Sequence, residues 1–237
     1  MNVLSLMAHQ DDEMRCLGTM LKCRARGDRL FFVTITDGSK GFVHKPDTPA
    51  EEAARIRHEE MSALAGKLDA EYINLREPDE FLYDTPELRM RVIEAIRRAG
   101  AHLIFTHFEQ DYNADHVIVP ALVRHCAMQS CLTVLPTDSP PLPEHPAIFH
   151  VEPFGPFGFV PTHFVDISDY ETEKVRLLAC HSSQEEAMRA AVGMKAGFGD
   201  VCGKADAYWG QQAGCRFAEA FVAMRARGAI KPYNVLP

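Results

Sequence analysis

The sequence contains no uninterrupted apolar run that approaches the roughly 20 residues needed to span a bilayer. Its first residues, MNVLSLMAHQDDE, have neither the basic region nor the long apolar region of a signal peptide. None of the seven cysteines belongs to a CxxC pair. Because scattered thiols without an export signal are typical of a reducing compartment, we expect a cytoplasmic protein whose cysteines are small buried hydrophobic residues.

The sequence also lacks an excess of basic charge. It carries 25 Lys and Arg against 33 Asp and Glu, a net charge of -8, which repels phosphate backbones and anionic lipid surfaces. We therefore expect neither a nucleic-acid partner nor a membrane partner. The chain has 237 residues, of which 46% are hydrophobic. It is long enough for one large core, and we expect a single domain over residues 1–237.

Strand and helix patterns alternate along the chain. Such alternation predicts an α/β fold with a mostly parallel sheet and helices on both faces. The apolar runs predict strands at residues 3–8, 29–36, 71–75, 102–106, 132–135, 147–151 and 163–167. The helical periodicity predicts helices at residues 12–26, 49–68, 86–99, 117–128, 171–179, 184–191 and 215–227.

The first strand is followed by an unusual polar cluster. Neither a GxGxxG motif nor a P-loop occurs there, which argues against a nucleotide site. The cluster contains His9, Asp11 and Asp12, and ligands of parallel α/β sheets bind at the carboxyl ends of strands. Catalytic zinc takes three protein ligands and leaves a position for water. His116, in the loop after the strand at 102–106, is the candidate third ligand beside His9 and Asp12.

The remaining polar residues of these loops have candidate roles and simpler alternatives. Asp11 is the candidate general base for a metal-bound water, and Asp115 is a candidate to orient a neighbouring histidine. The alternative is that Asp11 or Asp12 only caps a helix and that His116 is structural. Residues 153–161, PFGPFGFVP, form either a pocket-lining loop or a surface loop held by Phe packing.

The segment MAHQDDE resembles the AHPDDE motif of the PIG-L/LmbE-type N-acetylglucosaminyl deacetylases. The loop 107–116 is similar to the second motif of that family, which commonly ends in His-Pro-Asp-His. Shorter similarities extend along the chain, at residues 36–38 (TDG), 57–60 (RHEE), 78–79 (PD), 181–184 (HSSQ) and 217–221 (FAEAF).

This resemblance implies a Rossmann-like fold, a divalent metal that is usually zinc, and removal of an N-acetyl group from an amino sugar. It implies that the metal ligands are His9, Asp12 and His116. It also implies a general base at Asp11, a substrate-contacting arginine at Arg57 and a histidine near the substrate or its oxyanion at His181.

Two positions depart from the family pattern. Gln10 replaces the proline of the first motif, which changes the stiffness of the loop. Asn113 replaces the histidine that begins the second motif and that is thought to stabilise the oxyanion. An asparagine amide is able to donate to an oxyanion, so Asn113 is a candidate for this role, with His107 or His181 as alternatives. His107 is also a candidate substrate-binding residue.

The function that we predict is hydrolysis of the N-acetyl group of a soluble amino-sugar conjugate by attack of a metal-bound water. One alternative is a metal-containing carbohydrate-binding protein that has lost catalysis, and another is a hydrolase of a non-acetyl amide or ester. Asp11 favours an enzyme, because a binding protein needs no base beside the metal. Zinc is expected, although iron, manganese or cobalt also suit two histidines and a carboxylate. The resemblance also suggests a homo-oligomer.

Overall fold

A computed structural model describes residues 1–155, 157–192, 197–224 and 236 of the chain. The strands are β1 (Asn2–Met7), β2 (Arg29–Thr36), β3 (Glu71–Glu77), β4 (Leu103–Thr106), β5 (Ala147–Val151), β6 (His163–Asp166) and β7 (Ala218–Ala223). The helices are α1 (Leu17–Ala25), α2 (Ala50–Lys67), α3 (Pro86–Ala99), α4 (Ala114–Gln129), α5 (Glu171–Leu178), α6 (Ser182–Val192) and α7 (Phe198–Ala213). A 3-10 helix, Asp12–Arg15, lies between β1 and α1.

One seven-stranded sheet has the order β3-β2-β1-β4-β5-β7-β6. The pairs formed among β1, β2, β3, β4 and β5 are parallel, whereas β7 is antiparallel to both β5 and β6. The mostly parallel α/β sheet that the sequence predicts is therefore confirmed.

Helices cover both faces of the sheet, as the apolar strands predict. Alternate residues of β1 serve the two faces: Val3 and Met7 pack in one core cluster, and Leu4 and Leu6 pack in the other. The first cluster includes residues of α1, α2, α5 and α7, and the second includes residues of α3 and α4. Because both faces are buried, the strands read as nearly continuous apolar runs.

The C-terminal third of the chain differs from the sequence-based expectation. Residues 132–135 form turns and no strand. The helix expected at residues 215–227 is wrong, because residues 218–223 form β7 between β5 and β6. Alanine, glutamate and arginine favour a helix there, but the buried position between two strands overrides this weak preference. The sequence pattern also missed α7, whose three glycines lower its helix propensity.

The chain order places a crevice at the carboxyl ends of β1 and β4. These strands are neighbours, and the connections that follow them run to opposite sides of the sheet. Ligands of open α/β sheets bind at such a switch point. The loops that leave β1 and β4 carry the candidate ligands. Among the described residues, no helix combines the length and the apolar character required to cross a membrane.

Candidate metal centre

The turn after β1 is built around the carboxylate of Asp12. Asp12 Oδ2 accepts a hydrogen bond of 2.7 Å from the backbone N–H of His9. Between these residues, Asp11 adopts a left-handed conformation with φ 103°, which costs free energy in a residue with a side chain. The 3-10 helix then begins at Asp12. The strained turn brings the His9 ring and the Asp12 carboxylate to the same side.

His116 completes a set of three donors. It lies in the first turn of α4, which begins at Ala114, three residues before the predicted start. His116 Nε2 is 3.1 Å from His9 Nδ1 and 3.3 Å from Asp12 Oδ1. His9 Nδ1 is 3.4 Å from Asp12 Oδ2. The structure thus brings together the three residues that the sequence singles out as metal ligands.

The spacing of these donors suits a small divalent ion. Tetrahedral ligands at zinc bond lengths of about 2.0–2.2 Å lie roughly 3.3–3.5 Å from one another, close to the three observed separations. All three residues are buried. Two imidazoles and one carboxylate leave a position open for water or substrate, which is the arrangement of catalytic rather than structural zinc.

Carboxylates hold the outer nitrogens of both imidazoles. His9 Nε2 lies 3.0 Å from Asp79 Oδ1 and 3.4 Å from Asp115 Oδ2. His116 Nδ1 lies 3.3 Å from Asp111 Oδ1. A metal-binding histidine usually donates its second N–H to such a carboxylate, which fixes the ring and the tautomer. This pattern directs the lone pairs of His9 Nδ1 and His116 Nε2 towards Asp12.

A second donor group, His9 with Asp79 and Asp115, is also close enough to hold an ion. Its carboxylates are already engaged by the backbone. Asp115 accepts from the N–H groups of Glu80 and Leu82, and Asp79 accepts from that of Lys40. We therefore assign this group to orientation of His9 rather than to metal binding. The role expected for Asp115 was orientation of a histidine, and the histidine that it faces is His9.

The charges within the cluster stabilise one another. Burial alone would raise the pKa of Asp12, but the neighbouring His116 and His107 rings hold it well below its ordinary value. Burial likewise opposes protonation of His116, yet Asp12 and Asp111 raise its pKa to about 9. The bare cluster therefore favours a cation between Asp12 and the histidines, and a metal ion is able to replace the protons as that cation.

His107 supports the cluster from the β4 side. Its Nε2 accepts a 2.9 Å hydrogen bond from the backbone N–H of Ala8 and lies 3.2 Å from Asp12 Oδ2. Its ring stacks on His116 with centroids 4.0 Å apart. Burial lowers the pKa of His107 to about 4, which matches a neutral ring that accepts from the backbone. With 4% exposure, His107 lies beneath the cluster, so a direct substrate contact remains only a prediction.

Asp11 lies beside the donors and is held by Arg57. The Arg57 guanidinium donates to Asp11 Oδ1 at 2.9 Å and also to the backbone oxygens of Gln10 and Gly38. The Asp11 side chain retains 20% exposure, whereas that of Arg57 retains 4%. Burial raises the pKa of Asp11 to about 6, although the Arg57 charge acts in the opposite direction. Arg57 therefore orients Asp11 and has little surface left for a substrate.

Asn113 does not point into the cluster. Its side-chain oxygen accepts from the backbone N–H groups of Asp115 and His116, at 2.8 and 3.3 Å, and so caps α4. Its amide nitrogen donates to Glu80 Oε1 at 3.0 Å. An oxyanion role for Asn113 would require the amide to leave these partners, and the role stays a prediction.

His181 is fully buried behind the first turn. Its Nε2 is 2.6 Å from Glu13 Oε1, and Glu13 Oε2 accepts from the backbone N–H of Asp11 at 3.0 Å. Glu13 thus connects His181 to the strained residue that carries the candidate base. The structure links His181 to the site through Glu13, and its predicted contact with substrate or oxyanion is not tested.

The short motifs of the sequence meet around the same turn. Glu60 accepts from the side chains of Ser182 and Ser183 and from the backbone of Ser183, at the beginning of α6. Gly38 has φ +72°, and a Cβ atom there would lie 2.2 Å from Gln10 Oε1. These contacts explain why residues 36–38, 57–60 and 181–184 occur together with the polar cluster.

Sequence reasoning missed three carboxylates of the site: Asp79, Asp111 and Glu13 were not assigned roles. Asp79 lies in the segment 78–79, whose similarity to the family motif was noted without a function. Glu13 follows Asp12 directly, and Asp111 belongs to the loop that carries His116. The usable signal was that each histidine ligand needs a carboxylate for its second nitrogen.

Comparison with protein families gives a match over residues 4–127 to the PIG-L model, described as GlcNAc-PI de-N-acetylase. The match spans slightly more than half of the chain and includes His9, Asp12 and His116.

Several solved structures share the fold. N,N'-diacetylchitobiose deacetylase from Pyrococcus horikoshii is 21% identical, with a TM-score of 0.79 over 94% of this chain and 83% of that one. GalB, the 4-carboxy-2-hydroxymuconate hydratase from Pseudomonas putida KT2440, is 19% identical, with a TM-score of 0.80 over 98% and 100%. The zinc-inhibited form of teicoplanin deacetylase is 12% identical, with a TM-score of 0.68 over 95% and 99%.

Proposed function

The chain belongs to the PIG-L family of GlcNAc-PI de-N-acetylases, and from this premise we propose that it is a metal-dependent hydrolase that removes the N-acetyl group of a small amino-sugar conjugate. The observation that carries the proposal is the convergence of His9, Asp12 and His116 beside an oriented Asp11. Two of the structural neighbours are deacetylases of sugar-containing molecules, according to their names.

The donors suit zinc by type, number and spacing. A zinc ion held by His9, Asp12 and His116 would lower the pKa of a water molecule and polarise an acetyl carbonyl. Asp79 and Asp115 would hold the His9 ring in place, and Asp111 would hold that of His116.

Asp11 is the residue that handles the proton. Arg57 engages its Oδ1, so we assign Oδ2 as the atom that accepts a proton from the attacking water. The same oxygen can return the proton to the nitrogen of the leaving amine as the carbon-nitrogen bond breaks. The left-handed backbone of Asp11 and the bond from its N–H to Glu13 fix the carboxylate before substrate arrives.

A second candidate reaction is hydration of a carbon-carbon double bond. The hydratase GalB shares the fold, and a hydration has no leaving amine to protonate. The capping role of Asn113, at the position of the family histidine, agrees with such a reaction. Against it, the site is rich in carboxylates and its arginine is engaged by Asp11, which disfavours a polyanionic substrate. We therefore prefer deacetylation.

The test is a substrate panel with metal analysis of the same sample. Acetate release is measured from N-acetylglucosamine and N,N'-diacetylchitobiose, and absorbance loss from 4-carboxy-2-hydroxymuconate. We expect acetate release that requires a divalent ion and falls on the order of 10²–10⁴-fold in Asp11→Asn. Arg124→Gln, an exposed substitution whose partner Glu109 is also on the surface, is the control. Acetate release that survives Asp11→Asn, or hydration without acetate release, would refute the proposal.

A further inference from the structure

Five aromatic side chains form a continuous row that the hydrolysis described above does not use. Phe108 meets Phe159 edge-to-face at 5.2 Å between ring centroids, and Phe159 meets Trp209 at 5.9 Å. Trp209 in turn contacts Phe164 at 6.0 Å and Tyr208 at 4.7 Å. We call these five residues the aromatic wall. It joins the β4 loop, the β5–β6 loop, β6 and α7.

The strand register places the outer part of this wall at the same edge of the sheet as the metal centre. Val151, the last residue of β5, pairs with Phe221 of β7, and Phe221 also pairs with His163. Strand β6 therefore begins at the level at which β5 ends. Phe164 lies one residue further in the direction in which β5 runs. The wall thus follows the carboxyl edge outward from β4 to β6.

The inner end of the wall adjoins the site. Phe108 follows His107, whose ring stacks on His116. The ring of His150 contacts Phe108 at 6.1 Å, and its Nδ1 is 2.6 Å from the backbone oxygen of His107. A substrate that fills the metal centre therefore has Phe108 as a neighbour on this side.

The loop that carries Phe159 is anchored on both sides of the site. Arg15 in the first turn forms an ion pair of 3.1 Å with Glu152, and its guanidinium lies 4.6 Å from the ring centroid of Phe154. The backbone at Gly158 approaches Gln110 in the β4 loop, where a Cβ atom would lie 3.7 Å from Gln110 Oε1. These contacts hold the segment that sequence analysis left open between a pocket lining and a surface loop.

The wall grows more exposed with distance from the centre. Phe164 retains 40% and Tyr208 retains 54% of its exposure, and Val160 beside the wall retains 74%. A contiguous exposed apolar patch on a folded protein usually marks a binding surface. Aromatic side chains offer flat apolar contact area at a low cost in conformational entropy.

We propose that the aromatic wall binds the second ring of the substrate, a neutral ring with an apolar face that is joined to the N-acetylated sugar. The proposal rests on the deacetylase function, because the acetyl group must sit at the metal centre for the remainder to reach Phe108. A second pyranose and an aryl aglycone share this chemistry. The wall therefore selects conjugates over the free monosaccharide.

Trp209 makes the proposal measurable without turnover, because it is the only tryptophan in the sequence. Asp11→Asn protein, which is expected to hold its metal, is titrated with three ligands: N-acetylglucosamine, N,N'-diacetylchitobiose and phenyl N-acetylglucosaminide. We expect the two-ring ligands to shift the Trp209 emission and to bind more tightly than the monosaccharide. The disaccharide and the phenyl glycoside show which kind of ring the wall prefers.

Two variants test the wall in the same assay. Phe164→Ala and Tyr208→Ala remove exposed rings, and each should weaken binding of the two-ring ligands by roughly 2- to 10-fold, the range of a lost aromatic contact. Binding of the monosaccharide, followed by calorimetry, should not change. Tyr83→Ala is the matched control, because Tyr83 is an aromatic residue with 69% exposure outside the wall. Kinetics of acetate release by the same variants should show a higher KM for two-ring substrates with kcat unchanged.

The outcomes separate this proposal from the proposed function. If acetate is released but one-ring and two-ring ligands behave alike in every variant, the wall is not a substrate site and the deacetylase survives. If two-ring ligands shift Trp209 but no acetate is released, the wall binds sugars or aryl rings and the deacetylase fails. An emission that follows protein concentration and ignores every ligand would identify the wall as a contact between copies of the chain, and would overturn the proposal.

Discussion

Replacing Asn113 separates a structural role from a catalytic one. The Asn113 side chain caps α4, the helix whose first turn carries Asp115 and His116. Loss of an N-cap costs about 1 kcal/mol, and in a chain of this size that lowers Tm by roughly 2–4 °C. Loss of an oxyanion donor instead costs about 10²–10³-fold in kcat. Asn113→Ala removes both functions, so it cannot decide between them.

Asn113→Asp is the variant that decides. A carboxylate caps a helix as well as an amide does, but it cannot donate to an oxyanion and would repel it. From the geometry we expect Asp to keep kcat within about 3-fold of the wild type and Ala to lose about 1 kcal/mol of stability. Asn113→Ser checks the exposed Glu80, whose repulsion of a new charge should cost roughly 0.2–1 kcal/mol. Acetate release and thermal unfolding are measured at matched metal content. A 10²-fold or larger loss of kcat in Asp and Ser, with normal Tm, would show that the amide acts in catalysis.

Three further predictions follow from named contacts. Asp12→Asn should lower metal content in elemental analysis while Asp11→Asn keeps it, and the reverse result would exchange their roles. Gly18→Ala should lower Tm, because its Cβ would lie 3.0 Å from Glu219 Oε1 and 2.8 Å from a neighbouring isoleucine; overpacking of this kind costs roughly 1–3 kcal/mol, and an unchanged Tm would contradict the packing. Lys174→Met should destabilise the fold by on the order of 3–5 kcal/mol in urea unfolding, because it leaves the buried carboxylate of Glu219 without its cation; an exposed Lys204→Met substitution is the control.

The sequence predicts the parallel core of the fold because each element there is locally consistent. The apolar run of β2 and the helix α3 agree with the structure at both ends, and α3 ends at Gly100 in the left-handed conformation that favours glycine. The expected contact between His9 and His116 follows from the neighbouring positions of β1 and β4. Adjacent carboxyl ends bring the two loops together, although 107 residues separate the two histidines.

What could not be predicted depends on long-range packing. No local signal shows that the Ala-rich segment 218–223 is a strand, because its pairing with β5 and β6 decides this. The same is true of Asp79, which reaches His9 only because residues 78–82 fold back against Asp115. The role of Asn113 was also hidden, since an asparagine before a helix suits a cap as well as a donor.

The misjudged strand β7 also explains how the second half of the chain supports the first. Glu219 accepts from the backbone N–H groups of Gly18 and Thr19, at 2.9 and 2.7 Å, in the first turn of α1. That helix has no side-chain cap of its own, so a strand 200 residues away supplies the acceptors. Lys174 lies 2.8 Å from Glu219 and neutralises its buried charge. Because α1 begins directly after the turn that carries Asp12, the position of that ligand depends on a strand outside the family match at residues 4–127.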